Sequence, residues 1–432
     1  MTSMLASLLL ASQLASNLAK PTTAQLTWQD AEIGVFIHFA PNTWQDQEGD
    51  DLSTPLNAIN PDKLDTDQWA RVAKSMSAKY IVFVAKHIGG FCWWQTSTTD
   101  YSAKSLKWRA GRGDIMADLA KSCRKYGLKL GVYLSPMDRK FGIETGGRAS
   151  TPQKQREFET MFRTQLTELL SKYGEIFEVW FDGSLAFGVD DILKKYAPNA
   201  VVFQGPQASI RWVGNEEGYA PYPAWNGAKF DSKTWGTLTA ADGNPDGDRW
   251  LPNEVDCRMR NTWFWNTKNE STVKSVDKLM EMYEQSVGHG AGLLLNNTPD
   301  TSGLIPTPDV KRSAEFGAEI KRQYGIAIAD VSGRGYEVRV GPSAPSLVDA
   351  AIIMEDISQG ERIRAYVLEA QVDGKWVEVS SGTAIGHKKI DRFAPVKLTS
   401  LRIKINKSIG EPIIKRLAIH RTNQTLTHEI SA

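Results

Sequence analysis

Cysteine is scarce in this chain. Cys92, Cys123 and Cys257 are three in 432 residues, at unrelated spacings and with no CxxC. That excludes a disulfide-framed fold and removes the thiolate half of most zinc sites. A chain this long builds a core without disulfides, so the scarcity says nothing about compartment. Excess charge is missing as well. The 51 Lys and Arg against 50 Asp and Glu leave a formal +1, which argues against nucleic acid or an anionic membrane as the main partner. No GxGxxG follows the first strand-like run, and there is no GxxxxGK[ST] and no HExxH. Nucleotide-binding and zinc-peptidase readings therefore lose their signatures. No run is long enough to span a membrane. The one apolar patch near the start, Leu5 to Leu14, has the length of a signal-peptide core, with Asn17-Leu18-Ala19 before a cleavage point. No Lys or Arg precedes it, and a leading amphipathic helix is the competing reading. Residues 1–23 are thus expected to be a signal peptide, in a secreted or periplasmic protein, or a leading helix in a cytoplasmic one.

What the chain has in excess is tryptophan, 14 in all. Trp93, Trp94, Trp212, Trp263 and Trp265 stand beside polar residues. A rigid apolar plane next to hydrogen-bonding groups suits a sugar, although several of these rings serve as core. At 41% hydrophobic and 23% charged residues, the chain reads as a soluble globular protein.

From Gly34 onward, short apolar runs alternate with longer helical patterns. GVFIHF (34–39), KYIVFVAKH (79–87), LKLGVYLS (128–135), IFEVWFD (176–182), AVVFQG (200–205) and GLLLNN (292–297) are apolar throughout. Apolar character on both faces marks parallel strands covered by helices. Between them, Thr66 or Asp67, Asp114 and Pro152 open helices, and Gly127 and Gly174 close two of them. Alternation over about 300 residues means an open doubly wound sheet or a (β/α)8-type barrel, and the missing nucleotide motif favours the barrel. Residues 206–290, rich in Gly, Trp, Asn and Pro, read as long active-site loops. From Ile326 the texture changes to short β-type runs such as YEVRV, RIRAYVLEA and LTSLRIKIN, the spacing of an antiparallel sandwich. The expected organisation is an α/β chain: a (β/α)8-like catalytic domain over 24–324, then a C-terminal antiparallel β-sandwich over 325–432. The sandwich looks like a discoidin-like, galactose-binding-type module, a shape that binds sugar or braces a catalytic domain.

In a barrel, residues at the carboxyl ends of the strands line the active site. Here they are His38, then Lys86 and His87, then Tyr133 and Ser135, then Asp182. His38, His87 and Asp182 are possible metal ligands, but no HxH or second cluster accompanies them, so no metal and no cofactor are expected. Neutral imidazoles that both donate and accept suit hydroxyl groups better. The other chemistry this face suggests is glycoside hydrolysis, which needs two carboxyl groups across the bond. Asp182 is one. Glu216, Glu217 and Glu254 are the candidates for the second, and spacing alone does not choose among them.

Taken together, WQDAEIGVFIHFAPNTW, VAKHIGGFCWW, GLKLGVYLSP and VWFDG resemble the α-L-fucosidases of glycoside hydrolase family 29, from about Trp28 to the C-terminus. IRWVGNEEG followed by WLPNEVDCRMRNTWFW resembles the subgroup that cleaves α-1,3/4-linked fucose from branched glycans. The resemblance implies Asp182 as nucleophile and Glu216 as general acid/base; Glu254, which spacing leaves open, is the runner-up. His38, His87, Trp94, Tyr133, Arg260 and Trp263 become candidates for the fucose pocket. Where family members often carry a second His after His87, this chain has Ile88. The partner implied is a fucosylated oligosaccharide or glycoconjugate, with no nucleic acid and no membrane span, and the oligomeric state is left open. A retaining mechanism requires Asp182 ionised, which a His or Trp N–H donor would favour. A lectin on a hydrolase scaffold, a glycosidase for another sugar and a fucosidase of broader linkage specificity are the rival readings.

Overall fold

The computed structural model describes residues 18–423, so the apolar patch of Leu5 to Leu14 lies outside the described residues. Leu18 is buried and its side chain lies against Gly360. Thr22 caps helix α1 (Thr23–Ala31) in a reciprocal capping box with Gln25.

Eight parallel strands follow: β1 (Ile33–Ile37), β2 (Tyr80–Lys86), β3 (Lys129–Leu134), β4 (Ile176–Trp180), β5 (Val201–Phe203), β6 (Arg211–Trp212), β9 (Asn253–Arg258) and β10 (Gly292–Asn296). A two-stranded ribbon, β7 (Gly227–Ala228) with β8 (Arg249–Trp250), intervenes. The strand order β5-β4-β3-β2-β1-β10-β9-β6 curls round until Phe203 bridges Ile210, nearly closing the barrel. Helices α2 (Thr66–Ser75), α3 (Ile115–Tyr126), α4 (Pro152–Lys172), α5 (Asp190–Tyr196), α6 (Val276–Ser286) and α7 (Thr307–Tyr324) cover six of the eight positions outside it. No helix separates β5 from β6, and the β6–β9 crossover is the long loop that carries the ribbon. Local chemistry sets the helix ends. Asp65, one residue earlier than expected, accepts from Asp67 N and caps α2. Asp114 caps α3, and left-handed Gly127 ends it.

The lumen is packed, not hollow. Trp28 on α1 closes the floor and donates from Nε1 to Glu178 Oε2 at 2.9 Å. Above it Phe36, Val82, Tyr133, Trp180, Phe203 and Leu294 fill the middle, with the Trp180 and Phe203 rings stacked 3.7 Å apart. Burying such rings contributes about 1.5–3 kcal/mol each. Two barrel strands, β6 and β9, fall in the stretch expected to be loops, as do the β7–β8 ribbon and helix α6. β6 is only two residues long, and β9 (NEVDCR) carries Glu254 and Asp256 buried, so neither reads as an apolar run.

The C-terminal domain is a sandwich of two four-stranded antiparallel sheets. One contains β11 (Ala329–Arg334), β18 (Ile413–His420), β13 (Ser346–Glu355) and β16 (Lys389–Leu398); the other contains β12 (Glu337–Val340), β17 (Ser400–Ser408), β14 (Ile363–Val372) and β15 (Lys375–Gly382). Val348, Ile353, Leu368, Phe393, Ile403 and Leu417 meet between them. The sandwich grips the barrel through polar contacts. Glu361 accepts from Asn226 N and Nδ2 at 2.9 and 2.7 Å, and Arg392 pairs with Glu284 at 2.9 Å. The Tyr222 hydroxyl donates to Ala384 O at 2.8 Å. Both Asn226 and Tyr222 belong to the β6–β9 crossover, so the segment leading away from Glu216 is braced from outside. Among the described residues no helix is long and apolar enough to cross a membrane.

Candidate active site

The barrel's carboxyl-terminal mouth gathers its polar groups because alternate residues of each strand point inward. Tyr133 on β3 and Asp182, two residues beyond β4, meet there. The Tyr133 hydroxyl donates to Asp182 Oδ2 at 2.9 Å. Asp182 is open to solvent yet ringed by protein. Burial pushes its carboxyl above the ordinary range, the Tyr133 hydrogen bond opposes this, and the charge of Glu216 adds to the rise. The donor is thus a phenol, not the His or Trp expected from sequence. Burial and the adjacent Asp182 charge hold Tyr133 well above its usual value, so it stays a donor throughout.

His38 accepts no proton at working pH. Burial pushes it down to about 3, against the Asn296 hydrogen bond. Asn296 spends its Nδ2 on Trp263 O at 2.8 Å, so its Oδ1, 2.8 Å from His38 Nδ1, must accept. That assigns the Nδ1–H tautomer and leaves Nε2 as an acceptor. His87 is neutral too, held well below its usual value by burial. Its ring is partly exposed while its buried Nδ1 has no partner. The two imidazoles lie 5.8 Å apart, with Trp263 5.0 Å from His38 and Phe264 4.9 Å from His87. Behind them Lys86, fully buried, pairs with Asp138 at 3.1 Å and ties the end of β2 to the β3–α4 loop.

Across the mouth, Glu216 rides the loop after β6. Its Oε2 takes the Trp263 indole N–H at 3.2 Å and stands 3.4 Å from Arg258 Nη2. Glu48, from the loop after β1, accepts from Trp263 N at 3.0 Å. Burial raises its pKa, and the Glu216 charge adds to the rise while Arg258 opposes it. One carboxyl group just beyond a strand end and a second on a facing loop, amid imidazoles and apolar rings, are the residue types that cleavage of a glycosidic bond calls for.

A sequence profile described as Alpha-L-fucosidase matches residues 53–323. Alpha-L-fucosidase 1 of Arabidopsis thaliana is 32% identical over 451 residues, covering 93% of this chain and 87% of its own. The chain belongs to the α-L-fucosidase family. This fucosidase also superposes on a glycoside hydrolase family 29 member from a rumen bacterium, with TM-score 0.84 and 32% identity over 96% of this chain and 79% of the other. A Ruminococcus gnavus family 29 fucosidase solved in complex with fucose aligns with TM-score 0.83 and 26% identity, over 93% of this chain and 95% of that one. The shared architecture is the nearly closed barrel with the antiparallel sandwich after it, as expected from sequence.

Not every candidate residue reaches the mouth of the fucosidase. Trp94 is fully buried outside the barrel wall, where its Nε1 donates to Glu168 Oε2 of α4 at 2.8 Å. Arg260 is buried too. Its Nε and Nη2 grip both oxygens of Asp309 on α7, at 2.9 and 2.5 Å, and its Nη1 donates to Asn269 at 2.6 Å. Each of its three nitrogens is thus engaged by the scaffold. Glu254 lies deep in the lumen, fully buried. It takes the Trp180 indole N–H at 2.7 Å and the Tyr80 hydroxyl at 3.4 Å. Burial and the neighbouring Glu178 hold it well above the carboxylate range, while Glu178 is pushed up to about 7 by burial. The two carboxyls share a proton in the core, out of a substrate's reach. Sequence reasoning missed Glu48, Arg258 and Asn296. Glu48 sits in a polar loop rich in Asp and Gln, and Arg258 is one arginine among many. Trp212 reads from sequence as a ring beside polar residues, and its partner, Asp256 Oδ1 at 2.6 Å, comes only with the fold.

Proposed function

We propose that the enzyme is an exo-acting retaining α-L-fucosidase that releases α-1,3/4-linked L-fucose from branched, Lewis-type glycans by double displacement. Asp182 is the nucleophile and Glu216 the general acid/base. The observation that carries this reading is the Tyr133–Asp182 hydrogen bond at the strand end, with Glu216 facing it. In the first step Asp182 attacks the anomeric carbon while Glu216 protonates the departing oxygen. In the second, Glu216 takes a proton from water, which attacks the same carbon and frees Asp182. Tyr133 favours the ionised nucleophile against burial, and its hydrogen bond relaxes as the carboxylate charge passes into the ester. His38 Nε2 and the exposed edge of the His87 ring, opposite its buried Nδ1, supply neutral partners for the sugar hydroxyls. The Trp263 and Phe264 rings supply an apolar wall for the fucose methyl, a group worth about 1–3 kcal/mol in such a pocket.

The linkage preference rests on the resemblance of the Glu216 loop and the β9 segment to the α-1,3/4-cleaving subgroup, and on a loop exposed enough to accept a branched leaving group. The test is release of fucose from a Lewis-type α-1,3/4-fucosylated oligosaccharide beside p-nitrophenyl α-L-fucoside. Strong release from the glycan and little from the aryl fucoside is the expected outcome. Efficient turnover of the aryl fucoside would replace the linkage assignment by a broader one. Glycan binding with no release from either would favour a lectin.

A further inference from the structure

Glu216 is poorly held by its own loop. Its side chain is 41% exposed, and the loop turns at Gly214 and Gly218, whose φ values of 98° and 92° suit glycine. The Asn215 side chain is spent on the backbone, accepting from Glu217 N and donating to Tyr219 O. An exposed glutamate on such a turn is free to spread over several rotamers, and fixing it costs side-chain entropy. Two groups from the neighbouring strand and loop fix it, Arg258 and Trp263, and both approach the same oxygen, Oε2.

Arg258 is a firm post. It ends β9, in register with Asn296 of β10, its carbonyl accepts from Lys274 Nζ at 2.6 Å, and its guanidinium lies 5.4 Å over the Trp263 ring. The other titratable groups around Glu216 are carboxyls: Asp182 beyond β4, Glu48 from the loop after β1, and Asp256 from β9. Arg258 is the cation paired with Glu216 among them.

We propose that Arg258 is a positioning residue for the acid/base. By holding Glu216 Oε2 it presents Oε1 to the glycosidic oxygen, as the atom that gives and later takes the proton. This rests on the assignment of Glu216 as acid/base, and the experiment separates the two. Arg258→Met, Arg258→Lys, Glu216→Ala and the Arg258→Met/Glu216→Ala double variant are assayed on a Lewis-type glycan and on 2-chloro-4-nitrophenyl α-L-fucoside, whose leaving group departs without protonation. General acid catalysis contributes about 10²–10⁴-fold. Misaiming it should cost Arg258→Met about 10–100-fold in kcat/KM on the glycan and less than about threefold on the activated fucoside. Arg258→Lys should recover part of the loss, and the double variant should be no slower than Glu216→Ala alone. Equal loss on both substrates, or additive losses in the double variant, would overturn the proposal while Glu216→Ala kept its leaving-group dependence. If Glu216→Ala lacked that dependence, the acid/base assignment would fall and this proposal with it.

Discussion

Replacing Tyr133 by Phe isolates the hydrogen bond on which the nucleophile assignment rests. The ring's neighbours remain: Trp180 stacks at 5.6 Å and His87 at 5.9 Å, so the substitution removes one hydroxyl and little packing. A hydrogen bond to a charged group is worth about 1.5–3 kcal/mol, or about one to two pH units. Because the Asp182 carboxylate is open to solvent, water replaces part of the lost donor, and the lower end, about one unit, is expected. The sign follows from the role of the bond. Tyr133 opposes the rise that burial imposes on Asp182, so its loss lets the carboxyl rise further. Asp182 must be ionised to attack, so activity is lost as pH falls through its value. The acid limb of kcat/KM in Tyr133→Phe should therefore move to higher pH by about one unit. Below both limbs, the variant should lag by about tenfold beyond any pH-independent loss. Initial rates of fucose release from the Lewis-type glycan from pH 3 to 8 give both limbs. An acid limb that stayed in place, or moved to lower pH, would refute the reasoning.

The other sites make separate demands. Arg260→Met should lower stability by about 3–5 kcal/mol, since it strands Asp309 in the core. Thermal melting should show the loss while KM for fucosides stays near wild type; a large rise in KM with unchanged melting would return Arg260 to the sugar pocket. Glu254→Gln should keep activity within a few-fold and show no azide rescue, because the residue is sealed beneath Trp180. Rescue by azide would make it the acid/base after all. Glu178, pushed up to about 7 by burial, keeps in the folded chain a proton that the unfolded chain releases in the ordinary carboxylate range. Its contribution is fully present at low pH and is lost as pH rises through about 7. In Glu178→Gln the melting temperature should therefore fall less between pH 5 and 8 than in the parent, and an equal or steeper fall would contradict the shared-proton pair.

Much of the barrel was legible in the sequence because its parallel strands are buried on both faces. IVFVA in β2 and GLLL in β10 read as strands without ambiguity, and Asp114 and Gly127 bracket α3 on capping chemistry alone. β9 escaped for the opposite reason. Its inward positions hold Glu254 and Asp256, carboxyls kept neutral by burial, and a pattern reader treats them as surface. The same ambiguity made Glu254 look like a second catalytic carboxyl, since sequence does not distinguish a lumen floor from a lumen mouth. Arg260 and Trp94 failed similarly. Each is polar or aromatic near a site segment, and only the fold reveals Asp309 and Glu168 as their partners. His38, His87, Tyr133 and Asp182 converge at the mouth as their strand-end positions implied, a matter of register. Glu48 and Arg258 come from a loop and a strand end that meet only in three dimensions.

If the fucosidase works through a covalent bond to Asp182, that bond can be trapped. The enzyme would be incubated with 2-deoxy-2-fluoro-α-L-fucosyl fluoride, which slows both steps through its electron-withdrawing fluorine but leaves a good leaving group for the first, and then digested and mapped by mass spectrometry. The expected result is a single 2-fluorofucosyl adduct on the peptide carrying Asp182, absent in Asp182→Asn. An adduct on Glu48, Glu216 or any other carboxylate, formed equally well in Asp182→Asn, would contradict it.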